Sequence, residues 1–117
     1  MLFYLAPMEG ITGYIVRNAY AHYFPYIDKY FTPFIPAAKK MSKKIKRDLA
    51  AENNEQIRLV PQLIGNRADE FLMMIRQLEE LGFTSVNLNF GCPSGTVVSK
   101  GRGAGFLAEP DRLHAFL

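Results

Sequence analysis

The residues best equipped for chemistry stand together at Asn89-Phe90-Gly91-Cys92-Pro93. Val86 to Phe90 alternates as a strand does, so Val86 and Leu88 share one face and Asn87 and Asn89 the other. Buried amides need partners, and two on one face just before a turn predict a polar mouth above an apolar wall. Cys92 then falls just past the strand, where α/β folds carry their reactive groups. By residue type alone, a free cysteine is equally a small buried hydrophobe. It is the only cysteine, so an internal disulfide and a zinc site built on cysteines are both excluded. His22 and His114 lie far apart without neighbouring ligands and read as ordinary helix or surface residues.

Two groups of cations stand out. Lys100 and Arg102 sit in a Gly-rich stretch, Ser94 to Gly105. Its Gly101-Arg102-Gly103-Ala104-Gly105 spacing is G-x-G-x-G and follows a loop instead of a strand, so a dinucleotide fingerprint is excluded. Lys39, Lys40, Lys43, Lys44, Lys46 and Arg47 form the second group. Without these six, the 14 basic residues become 8 against 11 acidic ones, so the net +3 is a mildly acidic body carrying one basic patch. That patch suits phosphate contacts or a solvated helix face, and the whole chain does not look like a uniformly basic nucleic-acid binder.

Strand-like and helix-like segments alternate to position these groups. Leu2 to Pro7, Lys29 to Pro36, Arg58 to Ile64 and Val86 to Phe90 read as strands. Thr12 is a good helix cap, and Ile11 with Val16 has the spacing of a hydrophobic staple. Ile15, Ala19 and Tyr23 mark one apolar face of that first helix, which Pro25 stops. Ser42 to about Ala51 is a second helix with a thin stripe at Ile45 and Leu49. Asn66 and Asp69 resemble a capping box for a third, lined by Phe71, Ile75 and Leu78 and ended by Gly82. A Gly-rich loop runs to Ala108, and Asp111 opens a fourth helix. This alternation predicts a parallel sheet with crossover helices.

Composition narrows the class. Apolar residues at 49% and charged residues at 21% are ordinary globular values, which excludes disorder and collagen-like chains. The N-terminal run is interrupted by Pro7 and Glu9 and lacks a basic n-region, so no signal peptide is expected. No stretch approaches the ~20 apolar residues of a spanning helix. The expected setting is soluble, reducing and cytoplasmic, with no membrane partner.

Asn89-Phe90-Gly91-Cys92-Pro93, Val97-Val98 and Lys100-Gly101-Arg102-Gly103-Ala104 together resemble the active-site signature of the tRNA-dihydrouridine synthases. Leu5-Ala6-Pro7-Met8-Glu9-Gly10-Ile11-Thr12 resembles that family's opening strand and turn, and Leu59-Val60-Pro61-Gln62-Leu63 its third strand. The resemblance runs in register along nearly the whole chain. Asn87 departs from it, since many members carry an acidic residue there.

The resemblance implies a (β/α)8 TIM barrel, of which residues 1–117 supply roughly the first four βα units, an N-terminal half of the flavin-binding catalytic domain. It implies an oxidoreductase in which reduced FMN, regenerated by NADPH, reduces uridine in tRNA to 5,6-dihydrouridine. Cys92 would protonate C5. Pro7, Met8, Glu9 and Gln62 would bind the cofactor, and Asn89, Lys100 and Arg102 the substrate, the last two on a mobile lid. No metal is implied. A complete barrel needs about 250 residues, so the chain reads as a piece of a longer enzyme and inactive alone. Its open sheet edges should drive self-association, with Leu5, Leu63 and Val86 on an exposed inner wall. Two other readings are a flavin reductase of a free pyrimidine, such as dihydroorotate dehydrogenase, and a non-catalytic half-barrel that only oligomerises or binds RNA.

Overall fold

The computed structural model describes residues 1–117. Six short strands form, β1 (Tyr4–Leu5), β2 (Lys29–Phe31), β3 (Ile35–Pro36), β4 (Leu59–Val60), β5 (Gln62–Ile64) and β6 (Asn87–Leu88). They hydrogen-bond in the orders β1-β2-β4 and β3-β5-β6, parallel at every pairing. β2 with β3, and β4 with β5, are halves of single extended runs, so four runs lie side by side in chain order. The expected strands Lys29 to Pro36 and Arg58 to Ile64 are therefore each split in two. Pro33 and Pro61 lie at the splits and have no N–H to give a ladder. Thr32 spans the break: its N–H donates to Val60 O at 3.2 Å and its Oγ1 accepts the Gln62 N–H at 2.9 Å.

The helices are α1 (Tyr14–Tyr23), α2 (Lys43–Leu49), α3 (Ala68–Glu80), α4 (Gly95–Val98) and α5 (Pro110–Phe116), with 3-10 turns at Ala51–Asn53 and Gly103–Ala108. The expected Gly-rich loop is thus largely helical. The Val97 and Val98 N–H groups both reach Ser94 O at 2.9 Å, which winds the stretch into α4. Pro110 opens α5, where its missing N–H costs nothing.

Local signals held where nothing distant competed. Ser42 caps α2 by accepting the Ile45 N–H at 3.3 Å. α3 ends with Gly82 at φ +89°, its N–H on Glu79 O at 2.9 Å and that of Phe83 on Leu78 O at 3.1 Å, a Schellman motif. Two other caps did not form as expected. Thr12 turns back on Met8, and the first α1 N–H, that of Tyr14, goes instead to Asp48 Oδ1 at 2.7 Å. Asn66 leaves α3 uncapped by a side chain and donates to Lys100 O and Gly101 O, both at 3.0 Å. Asp69 pairs with Arg67.

The core lies between the runs and helices α2 and α3. Ile35, Ala37, Met41, Leu49, Leu63, Phe71, Met74 and Leu78 form one buried cluster. Burying a side chain of this size stabilises the fold by roughly 1.5–3 kcal/mol. Leu63 is 0% exposed, so it belongs to this core and not to an exposed inner wall. The expected apolar face of α1 is uncovered: Ile15 is 68% and Tyr23 72% exposed. The one buried residue of α1 is Arg17. No helix is long and apolar enough to cross a membrane.

Candidate functional site

β5 and β6 set Gln62 directly beside Asn87. Gln62 Nε2 donates to Asn87 Oδ1 at 2.8 Å, and Gln62 Oε1 accepts from Asn89 Nδ2 at 2.8 Å. Asn89 Oδ1 then accepts the N–H groups of Gly91 at 3.1 Å and Cys92 at 3.0 Å. The three amides form one relay running from the strand pair into the Cys92 turn. The shared face of Asn87 and Asn89 is as the alternation predicted. Asn89 holds the turn with its oxygen, and an N–H of Gln62 and the Asn87 amide nitrogen keep donors with no partner in the chain.

Cys92 is half-buried and free, and its thiol makes no hydrogen bond within the chain. Its backbone is fixed from the other side, where Cys92 O accepts the Ala104 N–H at 3.1 Å. Gly103, at φ +54°, makes that approach possible, because a Cβ there would stand 2.7 Å from Cys92 O and 3.0 Å from Val97 Cγ1. Phe90, next to the turn in the chain, and the fully buried Phe106 both meet Phe116 edge to face and lie tilted at 58° to each other. The amide relay and the Ala104 bond hold the Cys92 backbone on both sides, so the turn that carries the thiol is fixed.

Lys100 is exposed, and Asn66 clamps its carbonyl. Arg102 is half-buried; its Nε is buried without a partner, and no carboxylate pairs with its guanidinium. The Nη nitrogens are not buried and make no hydrogen bond within the chain, so they, and not Nε, are available to an external acceptor.

Pro7, Met8 and Glu9 follow β1, on a different run from Gln62, and no hydrogen bond joins them to the relay. Met8 is 56% exposed. Glu9 lines a groove of about 600 Å³ shared with Ile11, Phe34, Pro36, Lys44 and Arg47. Pro7 to Glu9, Pro36 and Asn89 to Cys92 all fall at or beyond the carboxyl ends of parallel strands, the end where such folds place ligands.

The basic patch occupies the Ala37–Ser42 connection and α2. All six cations are exposed and none has an acidic partner. Gln77 of α3 fixes the connection, accepting the Met41 N–H at 2.9 Å and donating to Lys39 O at 3.3 Å.

Sequence reasoning missed a cluster beneath the Met8 turn. Arg17, with 0% exposure, donates through Nη1 to Thr12 O at 2.9 Å and Asp48 Oδ2 at 3.0 Å. Its Nη2 donates to Asp48 O and Asn54 Oδ1, both at 2.9 Å. Burial pushes the Arg17 guanidinium below its ordinary value, and Asp48 opposes that shift. The only sequence signal was a cation within a largely apolar helix.

The family described as Dihydrouridine synthase (Dus) matches residues 4–117. A probable tRNA-dihydrouridine synthase of Staphylococcus aureus (strain COL) is 30% identical over 113 residues, covering 93% of this chain and 34% of its own length. That of Staphylococcus epidermidis (strain ATCC 12228 / FDA PCI 1200) is 29% identical over the same coverage. Probable tRNA-dihydrouridine synthase 2 of Bacillus subtilis (strain 168) is 29% identical over 92% of this chain and 34% of its own length. The chain spans about a third of the length of these relatives.

Proposed function

The chain belongs to the dihydrouridine synthase family, and on that premise we propose that the protein it forms part of reduces uridine in tRNA to 5,6-dihydrouridine, with Cys92 as proton donor. The observation that carries this reading is the relay from Gln62 through Asn89 to the Cys92 backbone, which fixes a turn bearing a free thiol at the strand ends and leaves amide donors unengaged. Residues 1–117 are, on this reading, the opening βα units of a (β/α)8 barrel, in agreement with four parallel runs in chain order.

FMN reduced by NADPH would, when bound, supply the hydride that adds to uracil C6. The chain's residues fit such a ring. The spare N–H of Gln62 and the Asn87 Nδ2 offer donors to carbonyls on its pyrimidine edge, while Pro7 and the exposed Met8 offer an apolar shelf. Cys92 Sγ gives its proton to C5 as the C5=C6 double bond is lost, so each carbon gains one hydrogen. The thiolate left behind regains a proton from solvent. Asn89, by holding the Gly91 and Cys92 N–H groups, keeps the thiol aimed at one place. Lys100, exposed, and Arg102, through its unpaired Nη nitrogens, would take RNA phosphates. The six unpaired cations of the patch favour a polyanionic substrate over a free pyrimidine.

Cys92→Ala in the full-length protein tests the assignment. It should fold, retain yellow flavin, and lose about 10²-fold or more of turnover on unmodified tRNA, the usual share of a general acid. Turnover near wild type would remove Cys92 from the chemistry.

A further inference from the structure

A fully buried arginine is costly unless its charge is paired and its donors are met, and an apolar residue often serves stability as well. Arg17 is kept nonetheless, and its hydrogen bonds extend past its own helix. From Asp48 the network runs through Arg17 Nη1 to the Thr12 carbonyl. Thr12 Oγ1 in turn accepts the Met8 N–H at 2.8 Å and donates to Met8 O at 3.2 Å. Met8 O also accepts the N–H groups of Ile11 at 3.1 Å and Thr12 at 3.0 Å. Both backbone polar groups of Met8 are therefore consumed internally. The N–H groups of Glu9 and Gly10 are left as the turn's unengaged donors. Asp48 anchors the far end twice more, on the Tyr14 N–H and, through its carbonyl, on Asn54 Nδ2 at 2.9 Å.

We propose that Thr12, Arg17 and Asp48 are positioning residues that preset the Met8–Thr12 turn so that Met8 and the free Glu9 and Gly10 N–H groups meet a flavin. The inference rests on the reading of Pro7 to Glu9 as a cofactor shelf. A turn fixed before binding spares the ordering cost that a loose one would add. Thr12 is the direct link, since its hydroxyl alone engages both polar groups of Met8.

FMN titrated into the flavin-free full-length protein, followed by quenching of flavin fluorescence, tests this apart from turnover. Thr12→Val keeps the shape and removes the hydroxyl, and should weaken FMN about tenfold. Thr12→Ser restores the hydroxyl and should bind within about twofold of wild type. Asp48→Asn cannot serve Arg17 and Tyr14 equally and should also weaken FMN. Met74→Ala, a core change remote from the turn, provides a control for lost stability and should leave affinity within about twofold. Wild-type affinity in both Thr12→Val and Asp48→Asn overturns the proposal while the flavin reading stands. Equal loss in Met74→Ala reduces the cluster to general stability and overturns it too. A wild-type protein that takes up no FMN overturns the flavin reading and the proposal with it.

Discussion

Gly103 ties the Cys92 turn to the 3-10 segment behind it, and replacing it by alanine separates two physical costs. At φ +54°, a side chain meets the left-handed region, which costs about 1 kcal/mol relative to glycine. The new methyl would also lie 2.7 Å from Cys92 O, 3.0 Å from Val97 Cγ1 and 3.1 Å from Cys92 Cβ. The nearest of these atoms is backbone, so relief requires the Cys92 turn to move. Crowding of that kind costs about 1–3 kcal/mol. Gly103→Ala should therefore destabilise the full-length protein by about 2–4 kcal/mol and shift Cys92. Gly82→Ala isolates the first cost: its φ is +89° with nothing within 4 Å, so about 1 kcal/mol is expected. Gly95→Ala isolates neither, since it has open space in α4 and no positive φ, and should be neutral or stabilising by about 0.5 kcal/mol. Urea unfolding of the three variants ranks the costs. Turnover on tRNA should fall in Gly103→Ala alone, with FMN retained. If Gly103→Ala and Gly82→Ala lose equal stability and keep equal turnover, the packing of Cys92 against Gly103 is not what fixes the thiol.

Neutralising Lys39, Lys40, Lys43 and Lys44 together should weaken tRNA binding at every sequence and lower the slope of log K against log salt by about one for each lost contact. An unchanged slope assigns these cations to solvent. Burial holds the Tyr30 phenol above its ordinary value of 10.0, with Tyr20 adding to the shift. A raised folded value means its contribution is complete below pH 10.0 and is lost as pH rises through the folded value. Tyr30→Phe should flatten that alkaline loss in urea titrations, and an identical alkaline limb would assign the loss to other groups. The isolated 117-residue chain should self-associate, because Leu2, Phe3 and Tyr4 at one edge and Leu88 at the other stand exposed. Light scattering that returns a stable monomer at micromolar concentration would refute this.

The sequence by itself carried the order of strands and helices, because alternation and turn residues act within a few positions. Gly82 worked as read for the same reason, bonding to backbone within four residues, and Ser42, read only as the start of α2, caps it at the same short range. The placing of Asn87 and Asn89 on one face and of Cys92 past the strand followed from the period of two. The fates of Thr12 and Asn66 could not be read locally. Asp48, 34 residues from Tyr14, supplies a carboxylate to the α1 terminus, while Lys100 and Gly101, 34 and 35 residues from Asn66, draw its amide away. A cap is a competition among all acceptors in space, and only the tertiary structure brings the distant competitors in. Periodicity likewise says which residues share a face but not what covers it. It grouped Ile15 with Tyr23, which stay in water, and could not show that Leu63 turns toward Phe71 and Met74. The joins of Gln62 to Asn87 and Asn89, and of Arg17 to Asp48 and Asn54, depended on parallel pairing and helix packing, which set residues 25 to 37 positions apart at hydrogen-bond distance.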